Sequence, residues 1–100
     1  MTPRLVLEPA AERDIAEALA WYDEHAPGRG SAFLTAVGEV LESVEQTPRQ
    51  YRLERGDVRK ALVARFPYIV FFVELTEVLS VIAVFHTSRD PAIWQQRADV

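Results

Sequence analysis

One histidine of this chain stands where it could do chemistry. His86 closes a long apolar run, and polar residues follow it at once in His86-Thr87-Ser88-Arg89-Asp90-Pro91. An imidazole titrates near pH ~6.5 and can serve as a general acid or base. Arg59, Arg65 and Arg89 carry planar guanidinium groups suited to phosphate or carboxylate. If strand alternation holds, Arg59 and Arg65 share one side and Lys60 takes the other. Such a set could combine acid–base work with the binding of phosphate or carboxylate. The plainer reading makes His86 a structural strand-end residue and Arg89 a partner of Asp90 or of backbone carbonyls. There is no cysteine, and the two histidines are far apart, so no metal-ligand spacing is present. No phosphate loop, nucleophile motif or cofactor fingerprint occurs.

The elements that must position these residues lie between Asp57 and Arg97. Val63 and the run Tyr68 to Val73 favour a pleated surface. Pro67 punctuates that run and Thr76-Glu77 marks a second turn. The pattern predicts antiparallel strands over about 57–65, 68–75 and 78–86. The central run is apolar at nearly every position, which predicts a cover on both faces. Asp90-Pro91 has the form of a helix cap with proline at the first helical position, opening a short helix to Ala98. Trp94 reads as an anchor for that helix more readily than as a base-stacking platform.

Upstream, Arg4 to Glu8 is a short strand candidate. Pro9 opens a helix over about 10–25, with Ile15, Ala18, Leu19 and Tyr22 in one apolar stripe and Trp21 edging the core. His25 to Gly30 is a connection with two glycines and a proline. Ser31 is placed to cap a second helix, over about 30–46, with Phe33, Val37, Val40, Leu41 and Val44 inward. Gly38 could permit close approach of the two helices. Arg49 to Gly56 reads as a basic loop. The short connection implies an antiparallel helical hairpin lying on the sheet. Ile15, Leu19, Phe33, Val37, Leu41, Ile69, Phe71, Val81 and Ala83 are the expected core.

One hundred residues, 49% of them hydrophobic, suit one domain spanning 1–100. The net charge of −4 hides an asymmetry. Residues 1–48 hold three basic residues against nine acids, and residues 49–100 hold eight against six. Arg49, Arg52, Arg55, Arg59, Lys60 and Arg65 cluster against only Glu54 and Asp57. That cluster is either a charge-protected strand edge or a surface for an anionic partner. An acidic chain is ill suited to broad nucleic-acid binding. No signal peptide or membrane-spanning run is read, so a cytoplasmic protein is expected.

The chain resembles toxins of the RelE/ParE superfamily. The likeness rests on Asp14-Ile15, Trp21-Tyr22, Phe33-Leu34, Val58-Arg59, Arg65-Phe66-Pro67-Tyr68, Val84 to Pro91, Trp94 and Arg97. It is nearer the ParE-like, plasmid-stabilisation branch. It implies an α+β fold: an N-terminal strand, a helical hairpin on a mainly antiparallel sheet of about four strands, and a short C-terminal helix. It implies a cognate antitoxin, no cofactor, and DNA gyrase as a bound target. The resemblance places the partner-binding surface at Arg49, Arg52, Arg59, Lys60, Arg65, Arg89 and Trp94. The ribonuclease branch, which cuts messenger RNA on the ribosome, carries basic residues where this chain has Tyr68 and Thr87. It often has a C-terminal tyrosine where this chain offers only Trp94. A third alternative is a non-toxic member that keeps only antitoxin binding.

Overall fold

The computed structural model describes residues 3–98. Strand β1 (Arg4–Leu7) leads into helix α1 (Pro9–His25), followed by α2 (Arg29–Gln46). Strands β2 (Arg52–Arg55), β3 (Val58–Leu62), β4 (Tyr68–Glu74) and β5 (Val78–His86) follow, and α3 (Pro91–Ala98) ends the described chain. The sheet order is β1-β5-β4-β3-β2. Only β1 runs parallel to its neighbour, because α1 and α2 lie between it and the rest of the sheet in sequence. The α+β architecture expected from the resemblance is present, with one strand more than anticipated.

That extra strand is β2, inside the segment read as a basic loop. A 3₁₀ turn at Pro48–Gln50 reverses the chain, and Arg52 and Leu53 then pair with Lys60 and Arg59. All four β2 residues are exposed. An edge strand has no apolar face to reveal it, and its charges guard it against pairing with other chains.

Both faces of the sheet are covered, as the apolar run predicts. On one face, Phe33, Val37, Val40 and Val44 of α2 join Val70, Phe72, Leu79, Val81 and Val84. On the other, Trp94 of α3 joins Val58, Phe71, Ile82, Ala83 and Phe85. The Trp94 and Phe71 rings stack with centroids 4.2 Å apart. Asp90 Oδ1 accepts the Ala92 N–H at 2.9 Å and Pro91 takes the first helical position, as read from sequence. A β-bulge at Ile82 sorts these faces, since Phe71 faces Ala83 and Phe72 faces Val81. The extra residue switches the parity of β5, so Val81 and Val84 share the hairpin side while Ala83 and Phe85 do not.

Of the expected core, Phe33, Val37, Phe71, Val81 and Ala83 are buried, and Ile15, Leu19, Leu41 and Ile69 are half-buried. Three local expectations are corrected. Trp21 does not enter the core: it is 52% exposed and stacks on His25 one turn later. Ser31 does not cap α2, which begins at Arg29 after Gly28; the positive φ of 91° at Gly28 turns the chain within two residues. The helices approach at Gly30, where a Cβ would stand 2.8 Å from Leu19 Cδ1 and against Asp23 Oδ1. At Gly38 a Cβ would meet nothing within 4 Å. Gly38→Ala should therefore raise stability by about 1 kcal/mol through helix propensity alone. An unchanged or lower urea midpoint would mean that Gly38 has a backbone role.

Candidate functional site

The polar end of β5 meets α1 at a buried carboxylate. Asp14, 4% exposed, lies one turn into α1. Its Oδ2 accepts from Arg97 Nη1 at 2.7 Å and from the Val84 N–H at 3.0 Å. Its Oδ1 accepts from Arg89 Nη1 at 3.0 Å and Arg97 Nη2 at 3.2 Å. Both guanidinium groups also lie over the Phe85 ring, at 4.0 Å for Arg89 and 5.0 Å for Arg97. One carboxylate thus joins α1, the edge of β5, the following loop and α3. Arg89 pairs with Asp14 and not with Asp90.

Two clefts meet at Arg89 of this clip. The first, about 380 Å³, is lined by Asp14, Glu17, Trp21, Tyr68, His86 and Arg89 among others. The second, about 260 Å³, lies under α3, with Phe71, Phe85, Trp94 and Glu54 in its wall. His86 and Arg89 line both and form the ridge between them. His86 Nδ1 accepts the Ser88 N–H at 3.0 Å and lies 2.8 Å from Ser88 Oγ. A neutral imidazole that accepts at Nδ1 carries its proton on Nε2, which leaves no free lone pair toward the clefts. Burial, with a smaller contribution from Tyr22, raises the Tyr68 phenol above its ordinary pKa.

The other candidates are not gathered at His86. Arg59 lies at the far side of the sheet, where Nη1 donates to the Tyr51 carbonyl at 2.7 Å. Arg65 does not extend β3. The strand ends at Leu62, and Arg65 sits in a turn with φ of 67°, the one non-glycine residue with positive φ among those described. The expected shared side for Arg59 and Arg65 is therefore absent, because alternation stops where the strand stops. Buried Val63 and Phe66 bracket Arg65 and hold its side chain out to solvent. Arg29 lies over the Phe66 ring at 4.7 Å.

The basic region is partly self-paired. Arg49 meets Glu74 at 3.1 Å, Lys60 meets Glu54 at 3.2 Å, and Arg55 donates to Gln95 at 2.7 Å. Arg52 and Arg65 make no ion pair or side-chain hydrogen bond among the described residues. Trp94 is 3% exposed and Phe71 covers one face of its ring. The sequence names Asp14 only within the Asp14-Ile15 pair of the family likeness and assigns it no partner. The signal available was helical spacing: Asp14 falls between Ala11 and Ala18 on the stripe that α1 buries. No helix among the described residues is long and apolar enough to cross a membrane.

The fold is thus a helical hairpin on a mixed sheet, closed by a C-terminal helix that the arginine–carboxylate clip holds down. A solved structure described as the chromosomal ParDE TA system from P. aeruginosa superposes with a TM-score of 0.76 at 16% identity. The match covers 85% of this chain and 96% of that one, and it establishes the likeness of fold. The family model for the ParE toxin of the type II toxin–antitoxin system, parDE, matches residues 5–91, and the chain belongs to that family. No curated protein sequence matches it closely.

Proposed function

We propose that this protein is a toxin that acts by binding, with DNA gyrase as its target, and that a cognate antitoxin neutralises it. The observation that carries this reading is the dispersal of the candidate catalytic groups. His86 has Nδ1 engaged with Ser88, Arg89 is engaged with Asp14, and Arg59 and Arg65 line neither cleft beside His86. A phosphorane needs its base and cations around one point. A binding surface needs no such convergence. Arg52 and Arg65, exposed and without ion pairs among the described residues, supply the anion-facing part of that surface.

Purified protein should block gyrase supercoiling and leave ribosome-bound messenger RNA intact, and His86→Ala should retain inhibition within about twofold. Removal of a general base commonly costs ~10²–10⁴-fold in rate. Messenger RNA cleavage in a translating extract that is lost in His86→Ala would overturn the reading in favour of a ribonuclease.

The same reading assigns the acidic, otherwise unfolded tail of the antitoxin to the surface around Arg52 and Arg65. Ordering such a tail costs ~2–5 kcal/mol, so wide contact and charge pairing are both required. Arg52→Glu and Arg65→Glu together should weaken the complex at least tenfold and flatten its salt dependence. Unchanged affinity would move the docking surface elsewhere.

A further inference from the structure

The last third of β5 has lost its neighbour. β1 pairs with β5 only from Arg4↔Val78 to Leu7↔Val81, and the chain then turns into α1. Beyond the bulge, the direction of the β5 backbone can be followed group by group. The Val84 N–H donates to Asp14 Oδ2, so Val84 turns its backbone away from β4. The Tyr68 carbonyl accepts from the Val63 N–H at 3.0 Å, so Tyr68 faces β3 and not its partner His86. Backbone direction along a strand repeats every second residue. Val84 C=O and His86 N–H therefore both point outward, at the floor of the cleft formed with Glu17, Ala18 and Trp21. Neither has a hydrogen-bond partner outside the sheet among the described residues.

The pairs still open determine what can fit. An antiparallel neighbour exchanges both bonds with one residue. That mode is closed at Val84, whose N–H is taken by Asp14, and at His86, whose carbonyl accepts the Arg89 N–H at 3.0 Å. A parallel neighbour places one residue between the carbonyl of one position and the N–H two positions on. Val84 C=O and His86 N–H are such a pair, centred on Phe85. The vacancy continues the line of β1.

We propose that this slot takes an extended segment of a protein partner bearing a lysine or arginine, added parallel to β5 opposite Phe85. Charge selects the partner. Glu17 is exposed and has no ion pair among the described residues, whereas Arg89 in the same cleft is paired with Asp14. Trp21 presents an exposed ring on the same wall, one face of which is stacked on His25. A cationic side chain gains the Glu17 carboxylate and the aromatic surface together. Main-chain bonds to an open strand with side-chain selection at the wall are the physics of β-augmentation. The slot lies at the opposite end of the sheet order from the basic β2 edge and has the opposite charge, so it does not depend on the toxin reading.

The test uses the full chain labelled with ¹⁵N and an acetylated, amidated pentapeptide of alternating valine and lysine. Saturable binding should shift the His86 amide proton downfield, with smaller changes at Val84 and the Trp21 indole. Replacing lysine by glutamate in the peptide, or Glu17→Lys in the protein, should each weaken binding at least tenfold. N-methylation of the central peptide residue, which removes the donor to Val84 C=O, should abolish the His86 shift. A peptide that perturbs Arg52–Arg55 instead, an N-methylated peptide that binds equally well, or self-association of the protein at this edge would each overturn the proposal.

Discussion

Asp14→Ala should lower the unfolding free energy by about 3 kcal/mol or more, the largest effect of any single polar substitution in the chain. Breaking a buried ion pair from one side commonly costs ~3–5 kcal/mol, because the remaining charge stays where it was desolvated. Here the removal leaves the Val84 N–H without its acceptor and two guanidinium groups without their counter-charge. Arg89 and Arg97 side chains are 34% and 22% exposed, so water recovers part of the loss and the lower end of that range applies. Asp14→Asn should cost less, since an amide oxygen can still accept from Val84. Arg97→Ala should exceed Arg89→Ala, because Arg97 alone holds α3 to both Asp14 and the Ile82 carbonyl, the latter at 3.0 Å. Urea denaturation measures all four. In a Trp21→Phe background, Trp94 emission should move to the red in Asp14→Ala as α3 loosens. Equal urea midpoints for Asp14→Ala and the parent chain would dismiss the clip as a source of stability.

Phe33→Ala should cost about 3–5 kcal/mol, at the upper end for core truncations. The Phe33 side chain is fully buried, and its ring meets Tyr22, Phe66 and Tyr68 at centroid distances of 5.3, 5.5 and 5.0 Å. Tilted and edge-on pairs of this kind add ~0.5–1.5 kcal/mol beyond the area they bury. The cavity would open beneath Phe66, the residue that holds the Arg65 turn against the hairpin. A residue with positive φ and a Cβ costs of order 1–3 kcal/mol and persists only while its surroundings impose it. The substitution should therefore release Arg65 as well as weaken the core. Hydrogen exchange at the Phe66 and Tyr68 amides, which close that turn onto Val63 and Phe66, should speed up more than global destabilisation explains. Binding of the antitoxin should fall with it. Phe33→Leu, which fills most of the space, should keep the turn closed and cost about 1–2 kcal/mol. Exchange at those two amides that tracks only the global change would separate Arg65 from the aromatic cluster.

These two residues also divide what was readable along the chain from what was not. The stripe holding Phe33, Val37, Val40 and Val44 announces a helix by its period, and the β-branched run at Tyr68–Val73 announces a strand covered on both sides. Asp90-Pro91 announces a helix start. Period, propensity and capping act over a few residues, so neighbours along the chain carry the signal. The β2 edge and the bulge at Ile82 carry no such signal, and Pro67 announces a corner but not the positive φ of Arg65 within it. Each depends on which backbone groups a distant strand leaves open. The Asp14 clip is the extreme case: its partners lie 70, 75 and 83 positions away in sequence. An aspartate at the start of a helix looks alike whether it faces water or a pair of arginines. Only the packing of α1 against β5 at the Val84 N–H excludes that water, and desolvation is what turns three ordinary polar side chains into a structural joint.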